Sequence, residues 1–240
     1  MNNPCLLLWL EAPLQAWGHD SKFGRRDTLN FPTKSGILGL VCCALGAGGE
    51  QRELLAQFAP LPQTAIAFVR TRQYGEQAPV KVDREPLLLD FHMVGSGYDD
   101  QDPWQNLLIP KTSEGKKAVG GGTKLTYRYY LQDMAFAVAL EVPVALAGLL
   151  AEKLQNPEWD LYLGRKNCVP TDFIYRGTFS QEAEALTEAE DIARQKNLVE
   201  DFRVFHGERA GAEVITLNDV PVQFGGYKKY RDRRVTVVPA

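Results

Sequence analysis

No apolar run in this 240-residue chain is long enough to span a bilayer, and no charged start followed by a cleavable apolar segment opens it. The expectation is therefore a cytoplasmic protein. Cysteine is scarce: Cys5, Cys42, Cys43 and Cys168 are the four, and none forms a C-x-x-C pair, which argues against a zinc knuckle or a dithiol redox motif. The three histidines, His19, His92 and His206, are scattered, with no metal-ligand spacing among them. Also missing are G-x-S-x-G, a Walker-type phosphate loop and a G-x-G-x-x-G turn after a strand. No cofactor and no metal are expected, and no catalytic set stands out. The net charge of −3 argues against indiscriminate nucleic-acid binding. A local basic groove stays compatible with it, because the relevant field is that of a patch.

What is present is concentrated near the start. Pro13-Leu14-Gln15-Ala16-Trp17-Gly18 ends an apolar run, and Phe31-Pro32-Thr33-Lys34-Ser35-Gly36 opens a second one. Between them lie Lys22, Arg25 and Arg26. An exposed helix start beside fixed positive charge suits a phosphate backbone. Thr33 is the expected N-cap of a helix running to about Leu45, with Gly46 as its stop. Ile37, Leu40, Val41 and Ala44 form its core stripe, while Gly36, Gly39 and Cys43 share another face. Glycine inside a helix costs up to about 1 kcal/mol relative to alanine. The usual reason to keep it is close approach by a backbone or a ligand.

Residues 5–11 read as a buried strand stopped by Pro13, with Leu6, Leu8 and Leu10 on one face and Trp9 on the other. A short helix is expected at 51–58, strands at 65–70 and 80–89, and the clearest strand at 135–142. Leu146, Leu149, Leu150 and Leu154 follow at helical spacing, then a loop at 159–171 and a strand at 172–179. Residues 182–191 form either a solvated acidic face or a disordered link, and short strands close the chain at 214–217 and 235–238. Six glycines and few core-forming residues in 91–129 imply an extended, mobile insertion. Strand, helix, strand, insertion, strand, helix, strand is the βαββαβ order of a ferredoxin-like α+β domain. Topology of this kind hosts many functions and decides none.

Three basic segments remain. Lys111, Lys116, Lys117, Lys124 and Arg128 face one acid, Glu114, with Tyr127, Tyr129 and Tyr130 interleaved. Cations beside aromatic platforms suit a single strand, whose phosphates meet the charges while its bases stack on rings. A solvated loop whose tyrosines begin the next strand accounts for the same residues. Leu163-Gly164-Arg165-Lys166-Asn167 is a second basic turn, readable as a phosphate contact or as plain surface. Lys228, Lys229, Arg231, Arg233 and Arg234 against Asp232 form the third, which near a terminus is usually a solvated edge. For metal-independent RNA cleavage the candidates are His19, next to the basic loop, and His92, at the root of the insertion, each of which reads equally as an ordinary surface or packing histidine.

With these residues assembled, the chain resembles the Cas-five family of RAMP-type CRISPR proteins, in its type I-E Cascade branch. The resemblance rests on Leu14-Gln15-Ala16-Trp17-Gly18, on the run from Phe31 to Leu40, on 126–140, and on Tyr162-Leu163-Gly164-Arg165-Lys166-Asn167-Cys168. It implies a ferredoxin-like (RRM-like) domain over 1–180 with a protruding thumb at about 90–129. Residues 181–240 are then a small C-terminal β extension, separate or within the same domain. It also implies a non-catalytic subunit that grips the 5′ handle of the CRISPR RNA. Its protein partners would be the complex's backbone subunit and its large PAM-reading subunit, with target DNA met indirectly. In that reading Thr33, Lys34, Ser35 and Gly36 contact phosphate, and Gln15 and Trp17 shape a base pocket. Lys116, Lys117 and Arg128 hold RNA along the thumb, with Arg165 and Lys166 supporting the handle. Type I-C relatives cleave precursor RNA with a Tyr, a Lys and a neighbouring His; this chain has no Lys-His pair in or near the insertion. An endoribonuclease is the competing class, and a domain with a small-molecule substrate is the third.

Overall fold

The computed structural model describes the chain except for residues 1–2, 20, 22–23, 74, 76–78, 95–100, 109–110, 113, 117–123 and 211. Its strands are β1 (Cys5–Gln15), β2 (Arg25–Arg26), β3 (Gln63–Arg72), β4 (Val80–Lys81), β5 (Leu88–Val94), β6 (Lys124–Glu141), β7 (Tyr175–Phe179), β8 (Leu198–His206), β9 (Glu213–Gln223) and β10 (Lys229–Pro239). The helices are α1 (Lys34–Leu45), α2 (Arg52–Phe58), α3 (Pro103–Leu108), α4 (Ala147–Gln155) and α5 (Glu182–Gln195). The architecture is mixed α/β. One ten-stranded sheet, antiparallel apart from the β2–β6 pair, runs β7-β1-β6-β3-β8-β10-β9, with β2, β4 and β5 off that path.

Strict alternation decides which residues meet which layer. Leu6, Leu8 and Leu10 of β1 and Phe136, Val138 and Leu140 of β6 point to the main core, beneath α1, α2 and α4. Cys5, Leu7 and Trp9 point the other way, with Ile66, Phe68 and the alanines 135, 137 and 139. Those three alanines leave a shallow floor, and α5 fills it with Ala185, Ala189, Ile192 and Ala193. Trp9 closes that layer by stacking on Phe68, with ring centroids 5.4 Å apart. The acidic segment is thus a packed helix whose charges face outward, not a disordered link.

Several elements differ from their sequence reading. β1 continues through Pro13 to Gln15 because β7 covers only its first half, so a missing N–H at the exposed Pro13 breaks no ladder bond there. Opposite Pro13, Asp133 takes a left-handed φ of 46°, and the pairing resumes at Leu14↔Gln132. The expected strand at 80–89 divides into β4 and β5, with residues 82–87 outside any strand. The insertion is partly ordered: β5 pairs with the first half of β6 over Leu88↔Tyr130 to Val94↔Lys124, and α3 lies between them. Its glycines at 95, 97 and 120–122 lie outside the described residues. β8 was not anticipated. Its alternation is interrupted by Glu200 and Arg203, which pair with each other, Arg203 pairing also with Glu190 of α5. Among the described residues no helix is long and apolar enough to cross a membrane.

The loop after α4 is fixed by one close approach. The Ala16 amide donates to the Leu163 carbonyl at 3.0 Å, and Gly164 follows at φ 100°. A Cβ on Gly164 would stand 1.7 Å from the Ala16 carbonyl oxygen. Both the dihedral and the contact therefore demand glycine. Gly164→Ala is expected to lower stability by about 2–4 kcal/mol, read as a drop in Tm or denaturant midpoint. Gly18→Ala, with open space around its Cβ position, serves as the control and should change little.

Candidate nucleic-acid interface

The two N-terminal runs meet as the sequence suggests, but their side chains face inward. Gln15 is fully buried, and its amide donates to the carbonyls of Leu10 at 3.1 Å and Met134 at 2.6 Å. Its carbonyl accepts from the Trp17 indole at 3.1 Å. Trp17, also fully buried, lies against α1 where a Cβ on Gly36 would approach its ring to 2.8 Å. Of the pocket expected from Gln15 and Trp17, Trp17 lines the cleft described below, whereas Gln15 does not and spends its amide internally, holding the Trp17 indole behind α1.

The start of α1 holds the largest correction. Thr33 is the N-cap, accepting from the Gly36 amide at 3.1 Å, and its hydroxyl lies 3.3 Å from that of Ser35. The Lys34 amide donates to Asp219 Oδ2 at 2.7 Å, so the anion at this helix terminus is the protein's own carboxylate. The Lys34 side chain is fully buried, and its ammonium donates to the Ala59 and Leu61 carbonyls at 3.0 and 2.6 Å. Lys34 therefore does not contact phosphate from this position. Arg233 completes the cluster by a bidentate pair to Asp219, at 2.7 Å from Nε and 2.8 Å from Nη2. Asp219 reaches inward because it sits at a β-bulge, skipped between the pairs Arg231↔Val220 and Asp232↔Asn218.

Arg165 is a clamp at the root of the thumb. Its guanidinium donates to the Tyr129 carbonyl at 2.8 Å and the Arg26 carbonyl at 2.9 Å, and lies 4.5 Å from the Tyr130 ring centre. It thereby ties the parallel pair β2–β6 to the 162–168 turn. Lys166 beside it is exposed. Arg25 is exposed, ion-paired to Asp27 at 2.9 Å, with its guanidinium 4.7 Å from the Tyr129 ring. Arg128 is half-buried and sits across from Asp90 on one side and Arg26 on the other. Lys116 is exposed and pairs with Glu114 at 3.1 Å. Lys22 and Lys117 lie outside the described residues.

The thumb's tyrosines do different jobs. Tyr130 is buried under Arg165, whereas Tyr127 is exposed and meets Phe91 at 5.3 Å. The cross-strand pairs Leu89↔Tyr129, Phe91↔Tyr127 and Met93↔Leu125 share one side of the β5–β6 ribbon. Leu89, Phe91, Met93, Leu125 and Tyr127 are all exposed there. His92, on the other side, has Nδ1 3.8 Å from Asp90 Oδ2.

The open surface lies over the glycine face of α1. A cleft of about 440 Å³ is lined by Gly36, Gly39 and Cys43, with Thr33 and Ser35 at one end and Gly164 at another. Trp159, Tyr162 and Tyr230 wall it, and Lys228 supplies a cation. A Cβ on Gly39 would meet nothing within 4 Å, so this glycine opens the cleft without relieving any internal contact. A second cleft of about 600 Å³ shares Gly18, Ser35, Lys228 and Tyr230 with the first and continues past His19 and Ser21 to Asn218. Together they form one groove. It brings together Trp17, Thr33, Ser35 and Gly36 from the expected set; Lys116 and Arg128 line neither part. Sequence reasoning missed Trp159, Phe224 and Tyr230, since no local motif shows that the loop after α4 and the β9–β10 hairpin both fold back beside α1. Among the described residues no group of three or more His, Cys, Asp or Glu is arranged to hold a metal ion.

Desolvation, reinforced by the nearby Arg233 and only partly offset by Asp219, lowers Lys34 from its ordinary 10.5 to about 8. A depressed ammonium pKa means that the unfolded chain binds more protons between these values, so this group adds stability as pH rises. Relative to Lys34→Met, wild-type stability should therefore gain roughly 1–3 kcal/mol between pH 8 and 10.5 in chemical unfolding. A constant difference across that range would show that Lys34 does not titrate there.

Comparison with known proteins gives the family. The family model described as CRISPR-associated protein (Cas_Cas5) matches residues 5–236. The chain is 30% identical over 179 residues to the CRISPR system Cascade subunit CasD of Escherichia coli (strain K12), covering 72% of this chain and 70% of that protein. A chain of a solved CRISPR RNA-guided surveillance complex superposes with a TM-score of 0.69 at 28% identity, over 98% of this chain and 90% of the other. A crystal structure of a Cas protein gives 0.56 at 26% identity, over 98% and 95%. With its model matched from the first strand to the last, the chain belongs to the Cas5 family of CRISPR-associated proteins.

Proposed function

We propose that this chain is a non-catalytic subunit of a type I-E Cascade-like antiviral complex that holds the 5′ handle of the CRISPR RNA. The observation that carries the reading is the groove over α1. It combines a glycine floor, where backbone can be approached, with aromatic walls and an exposed lysine. Single-stranded RNA needs this combination: rings for unstacked bases and a cation for the phosphates between them. The antiparallel order β7-β1-β6-β3, with α1 and α4 on one face, supports a ferredoxin-like core. Because β8 extends that sheet and α5 covers its other face, we take 181–240 as part of the same domain.

The thumb serves two contacts in this proposal. Arg128 and the described Lys116 lie along the RNA side, with Lys166 beside the clamp formed by Arg165. The apolar side, with Phe91, Met93 and Tyr127, faces a neighbouring protein subunit, because a contiguous exposed apolar row is characteristic of interaction surfaces. The backbone subunit and the large PAM-reading subunit are the proposed neighbours, with target DNA met through them.

Gly39→Ala separates folding from binding. Alanine fits the open space and should raise stability by about 0.5–1 kcal/mol, while its methyl narrows the groove floor. Fluorescence anisotropy with a short single-stranded RNA should show weaker binding for this more stable protein. Lys228→Ala should reduce the dependence of log Kd on log salt by about 0.7, the value for one phosphate contact on a single strand. Unchanged affinity in both variants would remove the groove from the RNA path. Incubation with repeat RNA in EDTA should leave the RNA intact; specific cleavage lost on His19 or His92 substitution would establish the endoribonuclease instead.

A further inference from the structure

The C-terminal basic run is only partly used by this groove. Lys228 lines it, whereas Arg231, Arg233 and Arg234 line a separate cleft of about 530 Å³ between β10, the end of β8 at His206 and the end of α2. We propose that this cleft is a phosphate-binding site, taking a phosphodiester of the same RNA strand as it leaves the groove; the assignment of the strand rests on the RNA reading above.

Three observations lead there. Arg233, only 7% exposed, spends Nε and Nη2 on Asp219, while its buried Nη1 finds no hydrogen-bond partner among the described residues. Buried donors on a charged group are rarely left unpaired unless a ligand uses them or the environment they organise. Secondly, the wall carries excess positive charge. Behind it Arg233 takes both oxygens of Asp219 while the buried ammonium of Lys34 is held by the Ala59 and Leu61 carbonyls, and in front Arg231 is exposed with no partner among the described residues. Arg234 is held at the rim by Glu208, and the one acid of the cleft, Asp232, accepts from Asn218 at 2.5 Å. Guanidinium forks match the tetrahedral oxygens of phosphate better than a point charge does.

The third observation fixes the occupant. Asn218 lines the far end of the groove, and its partner Asp232 lines the arginine cleft, so one begins where the other stops. Past Lys228, which lies just before β10, Tyr230 of the groove is followed on that strand by Arg231 of the cleft. A free anion would not require that continuity; a polymeric one does.

The test uses the full chain, two single-stranded RNAs of about 6 and about 16 nucleotides, and inorganic phosphate. The variant is Arg231→Gln with Arg234→Gln, both exposed, leaving the buried Arg233–Asp219 pair intact. The expected result is unchanged binding of the short RNA. For the long RNA, affinity should fall about tenfold and the salt slope by about 1.4, two contacts at 0.7 each. Equal affinity and slope for the long RNA in wild type and variant would overturn the proposal while leaving the groove assignment standing. If phosphate raises Tm in wild type but not in the variant, yet long-RNA binding is the same, the cleft binds a free anion or an acidic partner group, and the RNA occupant is rejected. Wild-type failure to bind either RNA would overturn the RNA reading itself, and the strand assignment with it.

Discussion

The carboxylate of Asp219 organises the candidate site. It caps the first turn of α1 through the Lys34 amide and receives the Arg233 fork, joining β9 and β10 to a helix almost two hundred positions earlier in the chain. Without that junction the β9–β10 hairpin would have no fixed place beside α1, and Lys228 and Tyr230 would not face Gly39 across a groove. Removing Asp219 would leave a buried guanidinium unpaired, which is far more costly than losing an exposed ion pair. The helix terminus that invites an external anion thus supplies its own.

The local chemistry of the chain was legible where partners are near in sequence. Thr33 as N-cap, Gly46 as a left-handed stop, the division of Leu6, Leu8 and Leu10 from Trp9, and the glycine face of α1 all follow from spacing alone. What escaped were roles fixed by distant partners. Gln15 looks like a surface recognition residue until Met134, 119 positions away, takes its amide. Lys34 reads as a phosphate ligand because its neighbours are Thr, Ser and Gly; the two carbonyls that claim it belong to the turn after α2. Residues 182–191 read equally as an acidic face or a disordered link because their small inward residues carry little hydrophobic signal. Only the alanine floor of β6 makes those small residues sufficient.

Basic patches show the same limit. Of the three, the 163–167 turn spends Arg165 internally, the thumb keeps Tyr127 out and Tyr130 in, and the C-terminal run splits between two clefts. Counting charges along the sequence could not separate these fates, since strand alternation and a single bulge at Asp219 decide them.

β6 has a mechanical consequence. Over 18 residues it is at once the second partner in from the edge of the central sheet and the spine of the thumb ribbon, with Asp133 at the junction. A load applied to the β5–β6 ribbon is therefore carried along one continuous strand into the central sheet, with its bend at Asp133 and its brace at Arg165. A partner seated on one side of the ribbon bears on the same strand that presents the other side.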